Sequence, residues 1–174
     1  MLNNEMISLR PFEIEDSDLI KKWRFDIENY NFFYEFVPIS SFINKLWMES
    51  ALKKTKEINF IVFAKNIKKD IGMISLLDID YRNQKCEVGR VLIGEKEFRG
   101  NGFGRSILNL CIDYAFNHLN MQKIYIEVFS DNLPAIKLYK SCGFIEDGHF
   151  YKHIYKNGDF KDVIHLSCFK NDKS

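Results

Sequence analysis

Arg99-Gly100-Asn101-Gly102-Phe103-Gly104 is the stretch on which the reading of this chain turns. It lies between a strand-like run, residues 86–93, and an amphipathic run that begins near Arg105. Three glycines at alternate positions strip side chains from one short loop. The backbone N–H groups of such a loop can converge on an anion, with the positive end of the following helix behind them. These residues describe a phosphate cradle, and the rest of the chain must say whose phosphate it holds.

Downstream of the loop, Ile107, Leu108, Cys111, Ile112, Ala115, Phe116 and Leu119 recur every three to four residues, which predicts one apolar helix face. Residues 123–129 alternate. Ile124, Ile126 and Val128 point one way, and Tyr125, Glu127 and Phe129 the other, as in a strand. Ser130-Asp131-Asn132 ends that strand and caps a further helix, with Pro134 in its first turn and Gly143 just past its end. Asn157-Gly158 is a hairpin signal between two final strands.

Upstream, residues 8–12 read as a first strand. Asp16-Ser17-Asp18 offers caps for a helix through Leu19, Ile20 and Trp23, and Ser40 or Ser41 caps a second helix carrying Phe42, Ile43, Leu46, Trp47 and Leu52. Residues 59–65 and 71–78 are strand-like around a polar turn, which suggests a hairpin. The order β-α-α-β-β-β-α-β-α-β-β predicts an α+β fold: a mixed, mostly antiparallel sheet with helices on both faces, in a single domain over residues 1–174.

Composition bounds the function. The chain has 174 residues, 46% of them apolar and 15% aromatic, enough to bury a sizeable core. A net charge of +1 supplies no field that would gather nucleic acid or an anionic membrane, so neither partner is expected. No apolar run approaches the ~20 residues of a membrane span. The first residues lack a signal peptide's basic start and apolar stretch, so a cytoplasmic location is expected. Cys86, Cys111, Cys142 and Cys168 are widely spaced with no Cys-x-x-Cys pair, which suits buried reduced thiols. His118, His149, His153 and His165 form no metal spacing, so no metal is expected.

Three phosphate loops compete for the glycine stretch. A Walker-type loop needs Gly-x-x-x-x-Gly-Lys-Ser/Thr, which is absent. A dinucleotide fingerprint needs Gly-x-Gly-x-x-Gly, whereas the glycines here are at 100, 102 and 104, after hairpin strands rather than within a βαβ unit. Arg/Gln-x-x-Gly-x-Gly/Ala is met by Arg99, Gly102 and Gly104. Thirty residues on, Asn132-Leu133-Pro134-Ala135-Ile136-Lys137-Leu138-Tyr139 is followed by Gly143-Phe144. Together the two motifs resemble the two signatures of the GNAT N-acetyltransferases, in order and at a fitting distance. The resemblance covers the chain from about residue 59 onward.

That resemblance implies acetyl-CoA as co-substrate and a primary amine as acceptor. The loop, Arg99, Gly100, Asn101, Gly102, Phe103 and Gly104, with the Arg105 amide, would hold the pyrophosphate. Val91, Leu92 and Ile93 would pair with the pantetheine arm, and a backbone N–H there would face the thioester oxygen. Asn132 would meet the pantetheine side, and Tyr139 would touch the cofactor as well. The chemistry needs a neutral amine, a base, an oxyanion donor and an acid for the leaving thiolate. Tyr139, two helical turns after Asn132, is the expected acid, because a phenol holds its proton at neutral pH. Glu87 is the first choice for the base and Glu127 the second, acting directly or through water; each also suits an ion-paired strand residue.

The acceptor is read from the N-terminal third. Residues 24–47 are irregular and aromatic, with Tyr30, Phe32, Phe33, Tyr34 and Phe36, which suits a site loop as well as a core lid. Trp23, Arg24, Phe33, Tyr34 and Trp47 are the candidate acceptor contacts. Trp23-Arg24, the stretch before Trp47, residues 74–80 and residues 156–163 resemble a PseH-like branch. Its members acetylate the 4-amino group of a UDP-linked 4-amino-4,6-dideoxy sugar on the route to pseudaminic acid. Arg24 and Lys45 could meet the nucleotide phosphates. Asn44 departs from that branch, where a histidine is expected. The alternatives are a ribosomal-protein or peptide N-terminal acetyltransferase and a polyamine acetyltransferase, whose acidic pocket Asp26, Glu28 and Glu35 could supply. A non-catalytic acyl-CoA sensor is the reading from another class. A monomer or homodimer is expected.

Overall fold

The computed structural model describes residues 2–31, 33–34 and 40–170. Eight strands form one sheet, in the order β1-β2-β3-β4-β5-β6-β8-β7. The strands are β1 (Leu2–Asn3), β2 (Ile7–Pro11), β3 (Ile58–Ala64), β4 (Lys69–Asp80), β5 (Lys85–Ile93), β6 (Lys123–Phe129), β7 (Ile145–Lys156) and β8 (Asp159–Phe169). The α-helices are α1 (Ser17–Phe25), α2 (Ile27–Tyr30), α3 (Ser41–Lys53), α4 (Phe103–Asp113) and α5 (Leu133–Ser141). The expected α+β order is present, with the short β1 and α2 added.

Strand alternation divides the core into two layers. Phe60 and Val62 of β3 join Ile74, Leu76, Ile107, Cys111, Ile126 and Ile136 under α4 and α5. Ile61, on the opposite side of β3, joins Met73, Leu92, Ile20, Trp23, Met48 and Ala51 under α1 and α3. All four cysteines are buried, and none forms a disulfide. The local signals act as expected. The Ser40 hydroxyl accepts from the Ile43 N–H at 3.2 Å, and the Asn132 side chain accepts from the Ala135 N–H at 3.3 Å. Asn157 and Gly158 both take positive φ at the β7–β8 turn. The helix begun by α4 relaxes into a π-helical turn over Tyr114–His118.

One departure from a regular sheet makes room for a site. β5 and β6 are parallel and pair only through Lys85↔Lys123, Cys86↔Ile124 and Glu87↔Tyr125. Beyond Glu87 the two strands part. β4 cannot follow β5 smoothly either: Ser75 pairs with Gly89 and Met73 with Leu92, so Arg90 and Val91 face Ile74 alone. Arg90 sits at φ 51 to make this bulge, which disrupts the ladder where β5 borders the gap.

Candidate active site

The parted strands open a cleft of about 890 Å³. Its floor and sides come from Glu87, Val91, Leu92, Ile93 and Glu127 of β5 and β6. One rim is the glycine loop, with Arg99, Gly100, Gly102, Gly104 and Arg105, and another is α5, with Asn132 and Tyr139. Arg24, Phe33, Tyr34 and Trp47 from the N-terminal third form the remaining wall.

The loop has the form of an anion cradle. Gly100 and Gly102 lie at φ 78 and 82, the left-handed region where a side chain costs energy. No atom lies within 4 Å of where their Cβ would be, so the backbone faces open space. Gly102 is the N-cap of α4, which adds the positive end of an eleven-residue helix. Gly104 brings α4 close to α5: a Cβ there would lie 2.9 Å from Leu138 Cδ2.

Several predicted residues take other places. Phe103 is 5% exposed and packs into the core against Phe98, and neither it nor Asn101 lines the cleft; the Asn101 side chain donates to the Glu97 carbonyl at 3.1 Å. Trp23 is also a core residue. It packs over Gly94, and its Nε1–H donates to Glu95 at 2.8 Å, so its apolar spacing with Ile20 signals burial. The Arg99 side chain stays at the cleft rim but is engaged within the protein, donating to the Ile93 carbonyl at 3.1 Å and to Asn29 Oδ1. Asn44 is fully buried, its amide donating to the Ser17 carbonyl and hydroxyl at 2.9 Å, where it ties α3 to α1. Asp26 and Glu28 each pair with Lys96 at 3.1 Å, and neither lines the cleft. Phe32, Glu35 and Phe36 lie outside the described residues.

The two strand carboxylates share the gap under different influences. Burial, with the Glu127 and Asp78 charges, pushes Glu87 up to about 7 against a smaller opposing pull from Arg90. Glu127 Oε2 accepts from the Tyr34 hydroxyl at 3.2 Å, and the Tyr34 ring lies 5.1 Å from that of Phe129. Tyr139 is 7% exposed, and burial raises its pKa above the usual phenol value. Among the described residues no group of three or more His, Cys, Asp or Glu is placed to hold a metal ion. No described helix is long and apolar enough to cross a membrane.

Two wall residues were not legible in the sequence. Asn29 is fully buried and anchors Arg99, but nothing in its neighbourhood signals that task. Arg90 lies with its guanidinium 5.1 Å from the Trp47 ring, while Arg24 lies 4.6 Å from the same ring. Gly89 beside Arg90 was the available hint of a bulge.

The geometry matches known proteins. The acetyltransferase (GNAT) domain family matches residues 7–145. Spermidine N(1)-acetyltransferase of Vibrio cholerae is 31% identical over 164 residues, 92% of this chain and 91% of that protein. A crystal structure of the V. cholerae spermidine N-acetyltransferase in complex with CoA and spermine superposes with a TM-score of 0.89 at 28% identity, covering 97% of this chain and 98% of the other. A structure of that enzyme is described as dodecameric. Acetyltransferase PseH of Campylobacter jejuni is 31% identical over 166 residues, 90% of this chain and 98% of that protein. With the splayed strands, the glycine loop and these relatives in agreement, the chain belongs to the GNAT acetyltransferase family and is an acetyl-CoA-dependent N-acetyltransferase.

Proposed function

We propose that this enzyme acetylates a primary amine of a polyamine. The observation that carries this reading is the pair Glu87 and Glu127, two carboxylates facing one gap where the acetyl group would lie. A polyamine arrives with several ammonium groups. One must lose its proton to attack, and a second can stay charged and gain from an anion. Glu87, at about 7, is suited to receive the proton directly or through water. Glu127, held by the Tyr34 hydroxyl, is suited to face the remaining charge. The relatives named as spermidine acetyltransferases support the same acceptor class.

In this mechanism the loop backbone from Gly100 to Gly104 and the Arg105 amide bind the pyrophosphate of acetyl-CoA. Val91, Leu92 and Ile93 line the pantetheine arm, with Asn132 opposite. The amine nitrogen forms a bond to the thioester carbonyl carbon, and a β5 backbone N–H beside the bulge stabilises the oxyanion. Collapse breaks the C–S bond, Tyr139 gives its proton to the leaving thiolate, and the second proton shed by the nitrogen as the amide forms returns through water to restore the Tyr139 phenol. No step needs a metal or a covalent acyl-enzyme.

A nucleotide-linked amino sugar is the second reading. Arg24 and Arg90 both lie against Trp47 in the cleft wall, an arrangement suited to a diphosphate and a flat base. The relationship to PseH supports it. The test is thiol release from acetyl-CoA against spermidine, spermine, putrescine, a UDP-linked 4-amino-4,6-dideoxy sugar and N-terminal peptides. Turnover of spermidine or spermine at least tenfold above the others is expected. Sugar-nucleotide turnover with inert polyamines would select the second reading. A higher homo-oligomer, as in the V. cholerae enzyme, replaces the monomer or homodimer as the proposed assembly, and sedimentation velocity measures it. A cytoplasmic site of action fits the acetyl-CoA donor.

A further inference from the structure

Lys156 closes β7 at the tip of the β7–β8 hairpin, far along the chain from the amine-side wall, yet it is only 8% exposed. Its ammonium donates to two main-chain carbonyls, Tyr30 at 2.8 Å and Phe33 at 2.5 Å. It also lies 4.4 Å from the Tyr30 ring centre and 5.3 Å from that of Phe129. The Tyr30 hydroxyl in turn donates to Asn157 Oδ1 at 2.5 Å, a second tie to the same hairpin tip. A cation taken out of water needs replacement partners, and here carbonyl dipoles and ring faces supply them. Every one of these partners belongs to, or packs beneath, the short segment that carries Tyr34.

We infer that Lys156 is a positioning residue: by fastening the Tyr30 and Phe33 carbonyls to the hairpin tip, it holds Tyr34 over Phe129 and against Glu127. The chain of contacts is continuous. Lys156 touches Phe129, Phe129 touches the Tyr34 ring, and the Tyr34 hydroxyl meets Glu127. Without the tie, the segment keeps its sequence but loses the geometry that presents Tyr34 to the gap. The inference rests on the reading that this wall receives the amine.

The experiment compares Lys156→Met, Lys156→Arg, Tyr34→Phe and the Lys156→Met/Tyr34→Phe double variant with the wild type. Lys156→Met is expected to raise KM for spermidine about tenfold, the scale of losing a charge-assisted hydrogen bond. Its kcat and its KM for acetyl-CoA should stay within about twofold, and Lys156→Arg should recover most of the loss. Adding Tyr34→Phe to Lys156→Met should have little further effect, because both act through one contact. Chymotryptic cleavage after Phe33 and Tyr34 should be faster in Lys156→Met, with no amine present. An unchanged spermidine KM, additive effects with Tyr34→Phe, or unchanged cleavage overturns the inference. A wild type inert toward spermidine sinks the polyamine reading instead. The cleavage comparison then still decides the clamp, and the kinetics move to the amine that is turned over. If Lys156→Met does not fold, Tyr30→Phe, which removes the hydroxyl that ties to Asn157, must show the same effects at smaller size; no effect there also overturns the inference.

Discussion

The Tyr34 hydroxyl meets Glu127 Oε2 at 3.2 Å across 93 positions of sequence, and this contact gives two otherwise similar strand glutamates different surroundings. Glu127 gains a donor from outside the sheet. Glu87 is half-buried near other carboxylates and is pushed up to about 7. A carboxylate at that value is ionised enough to take a proton at neutral pH and basic enough to keep it.

As the proposed base, Glu87 is expected to set the acidic limb of the rate profile. The wild-type kcat/KM is expected to fall as pH drops below about 7, where Glu87 is protonated and no longer accepts. Glu87→Gln should lose this limb and lower the rate at pH 8 by about 10²-fold. Steady-state rates from pH 5.5 to 9 check both. A Glu127→Gln variant that loses the limb, with Glu87→Gln retaining it, would exchange the two assignments.

Two carboxylates should move stability in opposite directions with pH. Glu87 is raised from 4.5 to about 7 in the fold, so folding holds its proton more tightly. Its ionisation costs the native state nothing below about pH 4.5 and progressively more up to about 7, on the order of 2–3 kcal/mol. Glu87→Gln should thus be more stable than wild type at pH 8 and equal to it at pH 4. For Glu95, burial raises the pKa, but donors at Lys22 (2.6 Å), Lys69 (2.7 Å) and Trp23 (2.8 Å) outweigh it and bring the value to about 2. Its stabilisation is full above about pH 4.5 and is lost as pH falls toward 2. Glu95→Gln should lower stability at pH 7 by about 2 kcal/mol and much less at pH 2.5. Urea melts across pH supply all four comparisons.

Tyr139 is the proposed donor of a proton to the leaving thiolate. Burial raises its pKa, so it remains a phenol throughout the assay range. Tyr139→Phe should lower kcat by about 10²-fold and leave the calorimetric affinity for acetyl-CoA within twofold. A matching loss of affinity would make Tyr139 a binding residue instead.

The cradle depends on backbone shape rather than on side chains. Gly102→Val places a branched residue at φ 82, a strain of about 2 kcal/mol. Because the position faces open space, the fold should survive while CoA affinity drops tenfold or more, measured by calorimetry. Unchanged affinity would remove the loop from phosphate binding.

Local physics is what the sequence by itself determined. Glycines at 100, 102 and 104, the Asn132 cap, the 123–129 alternation and the Asn157-Gly158 turn each express a preference of a few neighbouring residues, and each reappears where the sequence puts it. The layering of the fold follows from the same periodicities. Only the tertiary structure decided which of those residues face the cleft. Trp23 went to the core, Arg99 stayed at the rim with its guanidinium held by Asn29, and Asp26 and Glu28 paired with Lys96 outside the cleft. The inequality of Glu87 and Glu127, and the tie from Lys156 to the Phe33 carbonyl, come from partners brought together across the chain. Burial and charge are properties of three-dimensional neighbours, and periodicity along the chain carries no information about them.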